Sequence, residues 1–401
     1  MRYLPLLLAA ILFAAGLGCS KKSIVPSPQR VILFISDGLP VGAPERVPLP
    51  VFLDLKKRGC YYPSVQVIPA AHPGRVDSAE DPHYYPWGCS LPNPVAMTGT
   101  VFIGQPGIKQ AMIQHSLTDL TSAFVVNCGA YEEISPGFDI YHQLETNGWP
   151  DLFRDELPVH KGKEVILSHD PAFVRIHLQG PGSAGHIVAH GTETPHQGHL
   201  KYADPDGSLP WFENIWHPKS PYVLQALYAD SLLGDFAGWL ESEGLMDGTV
   251  MMVMGDHGQV DEGTHPPYRA ASNRTPLLIF GQGIKQGAEF DYAEVIDVAP
   301  TIARLLDVSP PRYATGRVLS ECFQGQPGRS SDEKLLQRLS EVLIAHHRLL
   351  MSRPQLESEA LNTEFSTLET IGRWHHRHDN LRAVVENNEA VLQRLRDKAQ
   401  E

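Results

Sequence analysis

The chain has 401 residues, 42% of them hydrophobic and 20% charged, which is ordinary for a globular protein and long enough to bury a large core in one α/β domain or two smaller ones. Its formal net charge of -13, with no basic block to offset it, excludes general nucleic-acid binding, which needs clustered Lys and Arg against the phosphate backbone. A small phosphate-bearing substrate stays open, because a bound metal ion can invert the local field.

At the N-terminus one basic residue precedes an apolar run from Leu4 to Leu17, followed by small residues and Cys19. The run is short for a membrane span and reads as a secretory signal. With Gly18 before Cys19 and a polar stretch behind it, the segment resembles a bacterial lipoprotein signal. The resemblance implies a lipidated Cys19 and a mature chain in the cell envelope, membrane-anchored and facing the periplasm or the cell surface. Simple cleavage and an uncleaved anchor are the other readings. Residues 1–19 are then the signal and 20–29 a linker carrying two prolines. Export permits disulfides, and Cys60, Cys89, Cys128 and Cys322 allow three pairings, none selected by the sequence.

RVILFISDG (Arg30 to Gly38) is an apolar strand ending in an acid and a glycine. Residues 69–94, rich in Pro, His, Tyr and Gly, cannot sustain regular structure. They lead to Cys89 and Ser90, placed by Pro92 and Pro94 at the start of a helix, where a nucleophile is favoured; a plain Ser N-cap is the structural alternative. Ser122 to Asn127 and Ala172 to Leu178 read as strands, the second running into a glycine-rich loop with His186, His190, His196 and His199. A helix through Val223, Leu227, Phe236 and Leu240 follows, on which Asp230 reads as structural. Next comes TVMMVMGDHGQVDEGTH, a short apolar run that reads as a buried strand with Asp256 and His257 at its tip and His265 able to fold back. The crevice beyond the carboxyl ends of such strands is where α/β sheets bind ligands, and carboxylate with imidazole is a ligand set for Zn²⁺ and similar ions. A further strand (TPLLIFGQGI) and a helix from about Asp297, stopped by Pro310 and Pro311, complete a body expected over 30–328. The remainder, 329–401, reads as helices whose stripe of Leu381, Val384, Val385, Val391, Leu392 and Leu395 could pack on the body or on a protein partner.

In this order the motifs resemble the alkaline phosphatase superfamily over about Arg30 to Leu319, in particular its type I phosphodiesterase and nucleotide pyrophosphatase branch, with sulfatases and ethanolamine-phosphate transferases as relatives. The carriers are Asp37-Gly38 after the first strand, Ser90 to Asn93 followed by Thr98-Gly99, the segment from His177 to His186, and Asp256-His257 followed by His265. The resemblance implies a central, mostly parallel sheet flanked by helices. It also implies a divalent metal, Zn²⁺ first and Mn²⁺ second, held by Asp37, Asp256, His257 and the nucleophile, with Asn93 binding substrate. The nucleophile is Ser90 if the Pro-Asn pair sets the alignment and Cys89 if the distance to Thr98 does. A second ion would use His186, His265 and an aspartate, but Gly182 stands where that aspartate is expected. The implied activity is hydrolysis of a small phosphate ester; the rival is a surface lipoprotein that keeps the fold and binds a ligand or partner without turnover. Sulfatase chemistry is disfavoured because Pro94 stands at that branch's arginine position.

Overall fold

The computed structural model describes residues 28–67, 112–144, 154–190, 208–265, 271–326 except 273, 291, 292, 313 and 315, and 377–400, with isolated positions between 338 and 356. The nucleophile candidates Cys89 and Ser90, Asn93, the lipidation candidate Cys19, and His196 and His199 lie outside them. The elements in chain order are β1 (Arg30–Ser36), α1 (Ala43–Arg46), α2 (Pro50–Lys57), β2 (Gly59–Gln66), β3 (Ser122–Val126), β4 (Ile140–Gln143), α3 (Glu156–His169), β5 (Phe173–Leu178), α4 (Gly180–His190), α5 (Pro221–Ser242), β6 (Thr249–Met254), β7 (Arg274–Gly281), β8 (Ala288–Glu289), β9 (Ala293–Glu294), α6 (Val298–Leu305) and α7 (Arg377–Lys398).

One sheet runs in the order β4-β3-β5-β1-β6-β7-β2-β8, with β9 also on β2. It is the α/β architecture expected, central and flanked by helices. β1 is parallel to both β5 and β6, and β3 to both β4 and β5. The strand read from TPLLIFGQGI is β7, which lies inside the sheet and runs antiparallel to β6 and β2. β1, β3, β5 and β6 are buried along their whole length, which is why β1, β3 and β6 read as near-continuous apolar runs, while β5 carries two buried polar residues, Arg175 and His177.

Helices α2 to α5 cover one face, where Phe34, Val253 and Ile176 meet Phe52, Val165, Ala184 and Phe236. On the other face Leu33, Phe124, Met252 and Ile279 meet Val298, Ile302 and Leu319. Asp230 is structural, as its setting in the sequence suggests. From α5 it accepts hydrogen bonds from Val51 N (3.0 Å) and Phe52 N (2.8 Å), satisfying the first turn of α2, whose own N-cap Leu49 has no side chain for the task. From α7, Val385 joins the body core, and Val391 and Leu395 pack with Leu356.

The sequence reading needs correction at residues 180–190. The glycine-rich segment expected as a loop is helix α4, begun directly at the end of β5. Asp155 accepts from Gly180 N (3.1 Å) at its start, and small residues let it lie close against α5 and the strand tips.

Candidate metal centre at the strand tips

Register builds this site. Ile35 is level with His177 on β5 and with Met254 on β6, so Asp37, two residues past Ile35, emerges beside Asp256, two residues past Met254. Asp37, Asp256 and His257 each offer one ligand atom, all within 4.8 Å of one another, and all three are buried. Backbone holds the β6 arm: Asp256 Oδ1 accepts from Gly38 N (3.0 Å) and His257 N (2.9 Å). His257 Nδ1 lies 2.7 Å from Gly258 O, which accepts only, so Nδ1 carries a proton and Nε2 is the ring atom left to face the carboxylates. That Nε2 has no hydrogen-bond partner among the described residues; it points at Asp37 Oδ1 (3.5 Å) and Asp256 Oδ1 (3.7 Å).

Two carboxylates converging in a buried site repel one another. Burial first, then the neighbouring Asp256, hold the Asp37 carboxyl well above the usual carboxylate range. A divalent cation relieves both effects, and the donor set of oxygen and imidazole nitrogen fits Zn²⁺ or Mn²⁺.

Behind Asp37 stands a chain of donors that sequence reasoning did not single out. Tyr131 donates to Asp37 Oδ2 at 2.6 Å and lies 3.3 Å from Asp256 Oδ2. Arg175 Nη2 donates to His177 Nδ1 (3.1 Å), which leaves the His177 proton on Nε2, facing Asp37 Oδ2 at 3.3 Å. Burial, then the positive charge of Arg175, push His177 well below its ordinary range, so its ring is neutral. Arg175 is wholly buried beside the rings of Phe124 and Tyr131, and its guanidinium is brought down to about 10 by burial, against the pull of Tyr131, Asp256 and Asp37. The only signal in the sequence was alternation: Arg175 and His177 are polar residues two apart in an apolar strand, hence on one face.

The other half of the site is built differently. His186 on α4 and His265 after β6 bring their Nε2 atoms to 2.9 Å, and the His265 ring lies 3.9 Å from that of His257 between centroids. Burial, then His257 and His186, keep His265 well below its usual range, hence neutral. Gly182 is pressed onto the first acid: a Cβ there would overlap Asp37 Oδ1. Gln259 locks this contact, its Nε2 donating to Gly38 O (3.0 Å) and Pro181 O (3.2 Å). Among the described residues the structure thus brings together Asp37, Asp256 and His257, sets His186 and His265 alongside, and gives the latter pair no carboxylate from position 182.

Comparison with known proteins agrees with this architecture. The sulfatase family model matches residues 127–308, a span that includes Asp256, His257, His186 and His265 but not Asp37 or Ser90. Lipoteichoic acid synthase 1 of Bacillus subtilis is 33% identical over 104 residues, 23% of this chain and 16% of that protein. The chain therefore matches about a sixth of the length of this relative. Among solved structures, BT1596, a 2-O GAG sulfatase, superposes with a TM-score of 0.54 at 15% identity over 76% of each chain. The phosphonate monoester hydrolase SpPMH from Silicibacter pomeroyi gives 0.52 at 13% identity over 75% of this chain and 78% of its own. A protein in the alkaline phosphatase superfamily from Vibrio parahaemolyticus gives 0.51 at 17% identity, covering 77% of this chain and 72% of that one. At these identities the structural likenesses speak for the fold alone.

Proposed function

Starting from a chain with a sulfatase-family domain and the fold of the alkaline phosphatase superfamily, we propose that it is a metal-dependent hydrolase of phosphate esters, a phosphodiesterase or phosphatase. The observation that carries the proposal is the convergence of Asp37, Asp256 and His257 in one buried cluster. These three would hold the ion, Zn²⁺ or Mn²⁺. When bound, such an ion supplies Lewis acidity and lowers the pKa of a nearby hydroxyl. Ser90, with Cys89 as the alternative, is the proposed nucleophile, attacking phosphorus while Asn93 orients the ester. Tyr131 and His177 fix the Asp37 carboxylate, and His186 with His265 would hold a second ion, which when bound would supply charge to the leaving oxygen.

The test is metal content of the purified chain together with turnover of nitrophenyl phosphate mono- and diesters and nitrophenyl sulfate. Phosphate-ester hydrolysis that needs Zn²⁺ or Mn²⁺ and disappears in the Ser90→Ala, Cys89→Ala double variant is the expected result. Turnover that survives both changes rules out the covalent mechanism. No turnover with either ion leaves the ligand-binding surface protein as the reading.

The match to lipoteichoic acid synthases favours a second reading, transfer of the phosphorus group to an alcohol in place of water. A new ester formed with an added alcohol acceptor, detected by mass spectrometry, separates it from hydrolysis. Anchoring through Cys19 in the cell envelope belongs to the same proposal; radiolabelled fatty acid should enter the wild type and not Cys19→Ala. Among the described residues no helix is long and apolar enough to cross a membrane.

A further inference from the structure

Away from the strand tips, the structure places two cysteines together that lie 262 positions apart in sequence. Cys60 stands on β2, and Cys322 lies in the short turn after Leu319. Both are fully buried in the same core cluster. The Cys60 thiol donates to the carbonyl oxygens of Lys285 (3.4 Å) and Cys322 (3.5 Å), so its sulfur lies against the backbone of its counterpart. Burial, then a hydrogen bond with the Cys60 sulfur, raises the Cys322 thiol well above its ordinary range.

The surroundings hold the two segments in place. Lys285 N donates to Cys322 O (2.8 Å), Gln324 N donates to Gly283 O (2.8 Å), and Ile284 bridges Phe323. Tyr62, on the same strand as Cys60, donates to Glu321 Oε1 (2.9 Å) and touches Cys322 Sγ (3.2 Å). Glu321 in turn pairs with Arg317 at 2.8 Å. The remaining described cysteine, Cys128, belongs to the margin of this core near β3.

We propose that Cys60 and Cys322 form a structural disulfide when the chain folds under oxidising conditions, selecting one pairing from those the sequence left open. The bond forms between the two Sγ atoms as both thiols lose a proton and together give up two electrons to a disulfide oxidant, such as oxidised glutathione, which is reduced to two thiols. It ties β2 to the end of the body and closes nearly the whole α/β domain into one covalent loop. Because both sulfurs are sealed from solvent, oxidation takes place during folding, by attack of whichever thiolate forms first, and the completed bond is out of reach of reductant in the native state.

The experiment refolds the reduced, denatured full-length chain in a buffer of oxidised and reduced glutathione. It is then denatured with N-ethylmaleimide present and mapped by non-reducing peptide mass spectrometry. The expected product is one linked pair of peptides holding Cys60 and Cys322, two hydrogen atoms lighter than the separate thiols. Reductant added before denaturation should leave it intact, and added after denaturation should split it. The Cys60→Ala, Cys322→Ala double variant should melt lower than the oxidised wild type, on the order of 5 °C, with no difference from the reduced wild type beyond that of lost packing. Maleimide on both residues after oxidative refolding overturns the proposal, as does either cysteine linked to Cys89 or Cys128. The peptide map needs no variant to fold, and neither result depends on catalytic activity.

Discussion

The two halves of the strand-tip site use the same sheet and differ in what each asks of the backbone. In one half, parallel register delivers Asp37 and Asp256 side by side, and main-chain N–H groups of Gly38 and His257 hold the second acid still. In the other, α4 is drawn so close that a glycine, Gly182, rests on the first acid, and two imidazoles meet with no carboxylate from position 182. At position 182 there is no room for the side chain: its first carbon would overlap Asp37.

This contrast can be broken most severely at Asp256. Asp256→Asn should abolish tight binding of one divalent ion, read by titration calorimetry, and lower phosphate-ester turnover roughly a thousandfold, the cost of several kcal/mol of lost Lewis-acid assistance. Retained affinity would mean that the cluster is a packed acid pair and nothing more.

The weak half is tested by restoring the aspartate. Gly182→Asp should not add a second tightly bound ion to the metal stoichiometry; the overlap with Asp37 should instead destabilise the chain by about 1–3 kcal/mol or more in denaturant unfolding. A second bound ion with unchanged stability would show that α4 moves aside freely.

The anchorage of α4 has its own pH signature. Asp155, fully buried at the start of that helix, is pushed up to about 6 by burial, against the hydrogen bonds from Asn127, Gln225 and Gly180 N. Its folded value lies above the ordinary 3.8, so the folded state holds the proton more tightly. The stability this brings is whole below that ordinary value and is lost as pH rises through the folded one. Asp155→Asn, which Gln225 can accommodate by turning its amide, should remove a loss on the order of 2–3 kcal/mol from the difference in unfolding free energy between about pH 4 and about pH 7. Identical pH profiles for the two proteins would assign the loss elsewhere.

The smallest expected change sharpens the strong half. Tyr131→Phe removes the 2.6 Å hydrogen bond to Asp37 while keeping the ring, and should weaken divalent-ion affinity roughly tenfold with the melting temperature little changed, since such partners orient the ligand and tune its basicity. Unaltered affinity would leave Tyr131 a packing residue.

The strands were legible in the sequence because burial on both faces writes an unbroken apolar run, and an acid directly after such a run marks a strand tip. Asp37, Asp256 and His257 were placed at strand tips that way, and Asp230 was read as structural. The motif order pointed to the superfamily before any coordinate was known. α4 was misread because its Gly, Ser and Ala residues signal a loop by local propensity, whereas close packing against the strand tips and a buried carboxylate at its first turn make it a helix. Tyr131 and the Arg175–His177 relay carry no local pattern that names a role; they matter only because β3 and β5 lie beside β1 in the sheet. Gly182 shows the division most plainly. The sequence alone determined that no carboxylate stands at that position, a fact of composition. Only the tertiary structure decided why none can be put back: a backbone atom there already occupies contact distance from Asp37, and distance between segments 145 residues apart is set by the fold and not by the order of residues.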